Sequence, residues 1–305
     1  MKSLVSYEFT FVKKCNMCGS SKKSFKVLGQ RLNSSQGLNP KKKSGISVSV
    51  MKCRKCKLIF SNPRPIPASI NDHYNINPDK YWKKEYFNVD ENYFLHEIKL
   101  AKEFLNFKNG MKALDIGGGI GKANLALTSS GFNTTSIEPS KTFRKLAIEK
   151  FNIPENKYLL HSIETADFEN NYFDFITFGA VLEHLNDPSY SIIKSMKWLK
   201  KGGIVQIEVP SSKHLIAKIY NLFFKLRSTN YVTNLSPMHE PYHLYEFDLK
   251  SFEEHSKRNG YEIVHYEYFI CSIYNIPTLF HPVLSWIMKI TNTGMQLSIW
   301  LKKLS

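Results

Sequence analysis

The most informative stretch for predicting the fold is Ala113-Leu114-Asp115-Ile116-Gly117-Gly118-Gly119-Ile120-Gly121. It opens with a short apolar run and ends where a helical pattern begins, near Lys122. Glycines in such a turn let the backbone approach a ligand, and the first turn of the helix offers free N–H groups. The G-x-G-x-x-G spacing of dinucleotide sites is not satisfied, because Lys122 and Asn124 occupy its third positions. The stretch therefore predicts a strand, a ligand-binding loop and a helix.

Similar apolar runs recur along the chain and alternate with helical stretches. The runs cover residues 113–116, 134–137, 173–178 and 204–209. Strands separated by helices form a parallel sheet with helices on both faces, so we expect an α/β fold with a doubly wound, Rossmann-like sheet. Glu138 ends the second run, where an acid is placed to bind a ribose diol. Both NAD and S-adenosylmethionine sites carry such an acid, so Glu138 does not separate them.

Composition limits the class of protein. The chain has 305 residues with 42% hydrophobic, which excludes low-complexity and collagenous classes and suits about two globular units. Its formal net charge of +16 favours nucleic acid, an anionic membrane surface or a phosphorylated small molecule as partner. An AT-rich genome, which enriches Lys and Asn everywhere, explains the same charge. The first 20 residues lack the apolar core of a signal peptide, so we expect a cytoplasmic protein.

Four cysteines form two Cys-x-x-Cys pairs separated by 34 residues: Cys15, Cys18, Cys53 and Cys56. Two such pairs offer four thiolates to a tetrahedral zinc ion, and a reducing cytosol disfavours the competing disulfides. All four positions of such a site are filled by protein, which is typical of structural Zn²⁺. We therefore expect residues 1–62 to form a small zinc-binding β module.

The remainder of the chain divides into two predicted parts. Residues 63–108 are expected to be a linker with helices, because Asn62–Pro67 is rich in proline and residues 68–74 and 92–107 have helical spacing. Residues 109–305 are expected to be the main domain, with a lid or substrate insertion at about 211–250.

Five motifs then appear in a characteristic order. They are the stretch 113–121, Ser136-Ile137-Glu138-Pro139-Ser140, Phe173-Asp174-Phe175-Ile176-Thr177, Val181-Leu182-Glu183-His184-Leu185-Asn186-Asp187-Pro188 and Leu199-Lys200-Lys201-Gly202-Gly203. Over about residues 110–210 the chain resembles class I S-adenosylmethionine-dependent methyltransferases. The resemblance implies a methyltransferase of the EC 2.1.1 class with S-adenosylmethionine as cofactor. It also implies a mostly parallel sheet whose last strand, at about 294–302, is antiparallel.

The resemblance assigns roles to individual residues of this sequence. The glycines would line the methionine and ribose part of the cofactor, Asp115 would position the loop and the amino group, and Glu138 would bind both ribose hydroxyls. Where the class usually brings an acid to the adenine amine, this chain has Ser162, so Ser162 and Ile163 are the adenine candidates. Ala180 would lie beneath the sulfonium. The three glycines are Gly117, Gly119 and Gly121.

Two histidines compete for the role of general base. Methyl transfer from a sulfonium is an in-line displacement, so the enzyme has to align the acceptor and take its proton, which a neutral imidazole does well. His184 follows the fourth strand and His243 follows the fifth. Ubiquinone-type O-methyltransferases also carry Leu-Glu-His here and hold a metal with it, but Ala180 replaces their upstream glutamate. The sequence therefore argues against a complete metal site of that type.

The run His239-Glu240-Pro241-Tyr242-His243-Leu244-Tyr245-Glu246-Phe247 suggests an acceptor class. Together with the zinc module it resembles enzymes that modify nucleotide-linked or glycan sugars, including C-methyltransferases with a Tyr-His-Glu-His-Phe run. His243 matches the last histidine of that run, whereas Tyr242 and Glu240 depart from it. O-methylation of a sugar in polysaccharide biosynthesis is therefore favoured. The alternatives are an rRNA guanine methyltransferase that binds RNA through the zinc module, and a non-catalytic binding module with the cofactor fold.

Two apolar segments bear on partners. Residues 214–226 have the spacing of a basic amphipathic helix, which would act as a lid over the site or contact a membrane. Residues 268–288 contain no charged side chain, but Pro277 and Pro282 interrupt them, so a peripheral contact at the inner face of the membrane is favoured over a span. We expect a small-molecule or glycan acceptor, with nucleic acid less favoured. The sequence does not define the oligomeric state.

Overall fold

The computed structural model describes residues 5–35, 45–68, 73, 90 and 92–304. Within these residues it contains one seven-stranded sheet, one four-stranded sheet and one two-stranded ribbon. The helix that the sequence predicts at 68–74 lies outside the described residues, apart from Ala68 and His73. Among the helices that the structure describes, none has the length and apolarity needed to cross a membrane.

The N-terminal region is built from five short strands. They are β1 Tyr7–Thr10, β2 Phe25–Leu32, β3 Ser47–Cys53, β4 Ile59–Asn62 and β5 Arg64–Pro67. Strands β2, β3 and β4 pair antiparallel, and Val48 and Val50 on β3 are buried as their alternation with serines predicts. The interpretation of Asn62–Pro67 as a linker is wrong in one respect. The segment is extended, but it pairs as β5 with β1.

The large sheet has the strand order β12-β13-β10-β9-β6-β7-β8. Its strands are β6 Lys112–Ile116, β7 Asn133–Ile137, β8 Tyr158–Leu159, β9 Phe173–Gly179, β10 Leu199–Pro210, β12 Tyr261–Phe269 and β13 Gln296–Lys303. Strands β6 to β10 pair parallel to their neighbours in the sheet, while β13 inserts antiparallel between β10 and β12. The predicted doubly wound sheet with an antiparallel last strand is confirmed.

Seven α-helices surround these sheets within the described residues. They are α1 Leu95–Leu105, α2 Lys122–Ser129, α3 Lys141–Phe151, α4 Pro188–Trp198, α5 Leu215–Leu226, α6 Leu249–Ser256 and α7 His281–Ile290. Asp187 caps α4, accepting the N–H of Tyr190 at 3.1 Å. Because α4 ends at Trp198 and β10 begins at Leu199, the motif residues Gly202 and Gly203 lie within the strand.

The small sheet, which contains β2, β3 and β4, packs against the domain that contains the large sheet. The short strand β11 Tyr245–Glu246 comes from the predicted insertion and extends the small sheet beside β4, with Tyr245 opposite Phe60. The four cysteines share one buried apolar cluster with the core of the large sheet. The hydroxyl of Ser251, in the first turn of α6, donates to the carbonyl of Cys56 at 2.9 Å. The cysteine-bearing region therefore packs directly on β11 and α6, which lie between β10 and β12 in the chain.

Candidate active site

A cavity of about 690 Å³ lies at the carboxyl ends of the parallel strands. This is where ligands bind in open α/β sheets. Nine residues that the sequence singles out line it together: Asp115, Gly117, Gly119, Glu138, Ser162, Ile163, Ala180, His184 and His243. They come from loops that are up to 128 positions apart in sequence, so the fold brings the predicted cofactor and catalytic groups to one place.

The glycines of the loop after β6 have two different roles: some line the cavity, and one allows two helices to pack closely. Gly117 and Gly119 have φ values of +71° and +56°, a region that side chains rarely adopt, and both line the cavity. Gly121 does not line it. It precedes α2 with φ of +91°, and a Cβ there would lie 2.8 Å from Ile153 and 3.1 Å from Ala147. Close packing of α2 on α3 thus explains this glycine without a ligand.

Two buried carboxyl groups hold the loop. Glu138 accepts the N–H of Gly119 at 2.9 Å and the N–H of Ser140 at 2.7 Å, one with each oxygen. Asp115 accepts the hydroxyl of Ser136 at 3.0 Å. Burial raises the pKa of Asp115 to about 6 and that of Glu138 to about 7. Glu138 therefore links the glycine loop to the end of β7, where the resemblance places the ribose.

A second group of polar side chains lies across the cavity. The rings of His184 and His243 meet edge to face with centroids 4.9 Å apart. Oε1 of Glu183 lies 3.9 Å from Nε2 of His184 and 3.8 Å from Nε2 of His243. Oε2 of Glu183 is buried and has no hydrogen-bond partner among the described residues.

Burial keeps this group uncharged near neutral pH. Desolvation raises the pKa of Glu183 to about 8 and lowers that of His184 to about 4. The pKa of His243 is lowered well below its ordinary value, by burial first and by the neighbouring His184 second. Both imidazoles are therefore neutral at pH 7, and each has one ring nitrogen that carries a lone pair instead of a proton.

Two backbone contacts fix the two histidine segments to each other. The N–H of Leu244 donates to the carbonyl of Glu183 at 2.9 Å, so the neighbours of both histidines are joined directly. Nδ1 of His184 lies 3.3 Å from the carbonyl of Tyr242, which fixes the proton on that nitrogen. The segment at 241–244 lines the cavity, whereas α5 does not, so the predicted insertion contributes its second half to the site.

Among the described residues, two groups of side chains could hold a metal ion. The four cysteine sulfurs lie within 4.8 Å of one another, and so do one ligand atom each of Glu183, His184 and His243. Although Ala180 replaces the upstream glutamate of the ubiquinone-type enzymes, His243 reaches the same place from another segment. The chemistry of this second set suits either proton transfer or a divalent cation.

Sequence reasoning missed several cavity residues. Glu183 lies inside the quoted motif but was not singled out as a site residue. Glu208 lines the cavity opposite Gly179 in the register of β10 and β9, and burial raises its pKa to about 7. Its position at the carboxyl end of a parallel strand could have identified it. Tyr242 stacks on His73 with ring centroids 3.9 Å apart, a contact that no sequence pattern indicates.

The glycine loop after β6 and the acid after β7 share one cavity at the carboxyl ends of the strands. On a seven-stranded sheet whose last strand is antiparallel, this arrangement is that of a class I S-adenosylmethionine-dependent methyltransferase. A family model described as "Methyltransferase domain" matches residues 90–266, more than half of the chain, and the chain belongs to that family.

Two similar proteins have curated names. Phosphoethanolamine N-methyltransferase 2 of Caenorhabditis elegans is 32% identical over 114 residues, which is 36% of this chain and 26% of that protein. Demethylmenaquinone methyltransferase of Staphylococcus aureus (strain MRSA252) is 32% identical over 173 residues, 55% of this chain and 66% of that protein. The chain thus spans only part of the length of both relatives.

Solved structures support the fold. A protein from Bacillus halodurans C-125, provisionally described as a methyltransferase, matches 69% of this chain and all of its own chain with a TM-score of 0.50 at 14% identity. At that identity the likeness concerns the fold alone.

We predict that Glu138→Gln weakens binding of S-adenosylhomocysteine at least ten-fold. An amide cannot accept the N–H groups of both Gly119 and Ser140, so the loop and the ribose contact are lost together. Isothermal titration measures the affinity, and thermal unfolding checks that the variant is folded. Glu149→Gln, on the exposed face of α3, is the matched control and keeps the affinity of the unaltered protein. Equal affinities in the two variants would contradict the assignment.

We also predict that His184 and His243 remain neutral on lowering the pH from 7.5 to 5. Their pKa values are depressed by desolvation, whereas an ordinary imidazole with a pKa near 6.5 would be almost fully protonated at pH 5. Histidine ring signals followed by NMR test this, with His184→Gln and His243→Gln assigning the two resonances. A midpoint near 6.5 for either ring would show that water solvates the pair.

Proposed function

We propose that this methyltransferase transfers the methyl group of S-adenosylmethionine to a hydroxyl oxygen of a sugar-containing acceptor. The observation that carries the proposal is the buried pair His184 and His243, which is uncharged and lines the same cavity as the glycine loop and Glu138. A neutral base beside the methyl donor is what a hydroxyl acceptor requires, because its proton has to leave as the new bond forms.

The proposed step balances in atoms and charge. The acceptor oxygen forms a bond to the methyl carbon, the carbon–sulfur bond breaks, and its electron pair stays on sulfur. The hydroxyl proton passes to an imidazole nitrogen. The products are a methyl ether, S-adenosylhomocysteine and an imidazolium, which later loses its proton to solvent.

His243 is the better placed of the two bases. Its side chain is 26% exposed to the cavity against 16% for His184. His184 is also engaged through Nδ1 with the carbonyl of Tyr242. We therefore assign proton transfer to His243. His184 and Glu183, which contact the His243 ring, would hold that ring in position.

A sugar hydroxyl suits the remaining surroundings. The lining of the cavity includes the aromatic rings of Tyr93 and Tyr242 and the half-buried carboxyl groups of Glu97 and Glu208. Aromatic faces and hydrogen-bonding carboxyl groups are the usual partners of a polyhydroxylated ring. The relatives' names mention phosphoethanolamine and demethylmenaquinone. These two acceptors are the first competitors in any screen.

We further propose that the four cysteines hold one structural Zn²⁺. Sulfur atoms that share a zinc ion at about 2.3 Å lie about 3.8 Å apart, and the Cys15–Cys56 and Cys18–Cys53 sulfurs are 3.4 Å and 3.6 Å apart. All four are buried, and the Ser20 hydroxyl lies 3.1 Å and 3.2 Å from two of the sulfurs. Thiolates that bind metal need a reducing compartment, which supports the cytoplasm as the location.

Replacing the proposed base tests the function. Purified protein is incubated with labelled S-adenosylmethionine and nucleotide sugars, demethylmenaquinone, phosphoethanolamine or ribosomal RNA in parallel. We expect label on a sugar hydroxyl and, in His243→Gln, a loss of kcat of about 10²–10⁴-fold with little change in cofactor affinity. His281→Gln, outside the cavity, is the matched control.

Each of the other outcomes of this screen would support one of the alternative functions. Label on RNA favours the rRNA methyltransferase, with the zinc module as its RNA contact, and label on a quinone or an amine replaces the sugar. Tight cofactor binding without transfer to any acceptor class would favour the non-catalytic binding module.

Metal analysis tests the zinc proposal. We expect one zinc ion per chain and a loss of both zinc and thermal stability in Cys53→Ser, because the site joins β3 to the Cys15 loop. Cys271→Ser, which removes the exposed cysteine outside the cluster, keeps both. A chain without zinc whose stability is unaffected by Cys53→Ser would refute the site. A second metal equivalent, lost in Glu183→Gln, would assign the histidine group to cation binding instead of proton transfer.

A further inference from the structure

Two helices remote from the cavity present apolar side chains to solvent. On α5 these side chains recur at i, i+3, i+4 and i+7, which places them on one stripe of the helix. Their exposed fractions are 40% for Ile219, 58% for Leu222, 40% for Phe223 and 77% for Leu226. The opposite side of α5 packs against the protein through Ile216 and Phe224. The core therefore does not account for the exposed stripe.

The second helix repeats the pattern. Val283, Trp286 and Ile290 on α7 are spaced i, i+3 and i+7 and are 58%, 62% and 59% exposed. Leu279 and Phe280, in the turn before α7, are 80% and 52% exposed. Buried Met288 is the side chain through which α7 contacts the core.

Hydrogen bonds join α5 to the segments on both sides of α7. The N–H of Leu215, at the start of α5, donates to the carbonyl of Thr293, just after α7. The hydroxyl of Tyr220, in the middle of α5, donates to the carbonyl of Tyr274 before α7 at 3.0 Å. Both ends of the α7 segment are therefore held close to α5. We call their exposed side chains, with those of the turn before α7, the α5/α7 face.

The two segments that carry this face contain basic residues and no acidic ones, and Asp248, from the start of α6, is the acidic side chain that acts on Lys218. Residues 209–239 contain Lys213, Lys218, Lys225 and Arg227 but no acidic residue, and no acidic residue follows Glu267 to the end of the chain. Lys218 and Lys225 are exposed and flank the apolar stripe of α5. Two copies of this face would repel each other, because an isologous contact places like charges together. An anionic surface with an apolar interior is the complementary partner.

We propose that the α5/α7 face docks the protein on anionic phospholipid, with the apolar side chains in the interface and the lysines on the headgroups. Trp286 and Tyr274 are the residue types that favour the boundary between headgroups and acyl chains. The proposal is independent of the acceptor, since it rests on residues outside the cavity.

Vesicle binding tests the proposal. Full-length protein is floated with vesicles of phosphatidylcholine alone or with 30% phosphatidylglycerol. We expect binding to the anionic vesicles only, weakening as salt is raised. Lys218→Gln and Lys225→Gln should each lower the partition coefficient about five-fold. Trp286→Ser combined with Leu226→Ser should lower it at least ten-fold.

The controls separate the outcomes. Phe11→Ser combined with Lys26→Gln changes exposed residues of the N-terminal region and leaves binding unaltered. Affinity for S-adenosylhomocysteine, unchanged in every variant, shows that each is folded. No binding to anionic vesicles, or binding that survives Trp286→Ser with Leu226→Ser, overturns the proposal. A dimer in sedimentation that dissociates in the same double variant would assign the face to a second copy of the chain.

Discussion

The geometry of the candidate active site depends on one buried phenol, the side chain of Tyr245. The oxygen of Tyr245 lies 2.9 Å from the carbonyl of Asn186 and 3.2 Å from the side-chain oxygen of Asn16, and the residue is fully buried. Burial raises the pKa of this phenol, so it remains a donor. Asn186 lies two residues after His184, and Tyr245 lies two residues after His243. The phenol thus fixes the spacing of the two segments that carry the histidines, together with the Leu244 to Glu183 backbone bond.

The same contact joins the site to the cysteine cluster. Asn16 lies within the first Cys-x-x-Cys turn, and its oxygen also accepts a hydrogen from Arg64 at 2.9 Å. The side chain of Tyr245 therefore links the first Cys-x-x-Cys turn to the segments that carry the two histidines. Basic residues near the cluster also have local partners, since Lys55 pairs with Glu254 at 3.0 Å and Arg258 packs against Gly19. Contacts within the protein explain part of the local positive charge without RNA.

The sequence predicted the large sheet and most of the cofactor loop because these depend on local patterns. A buried parallel strand is a continuous apolar run, so β6 could be predicted from the sequence alone. A turn with positive φ values favours glycine, so the role of Gly117 in the loop could be predicted in the same way. Contacts between distant segments leave no such pattern. The pairing of β5 with β1, the stacking of Tyr242 on His73 and the approach of His243 to Glu183 depend on the tertiary fold. The sequence could therefore name both histidines without revealing that they touch.

Because the proposed base is uncharged, the proposed methyl transfer does not change the net charge of the cavity. Before transfer the cofactor carries the positive charge on its sulfonium, and both imidazoles are neutral because burial disfavours their charged forms. After transfer the sulfur is neutral and the imidazolium carries the charge, so the net charge of the cavity does not change. Glu183 lies 3.8 Å from Nε2 of His243, so its carboxyl group is placed to interact with the imidazolium that the transfer would form. A low-dielectric cavity would penalise a reaction that created charge, but it tolerates one that only relocates it.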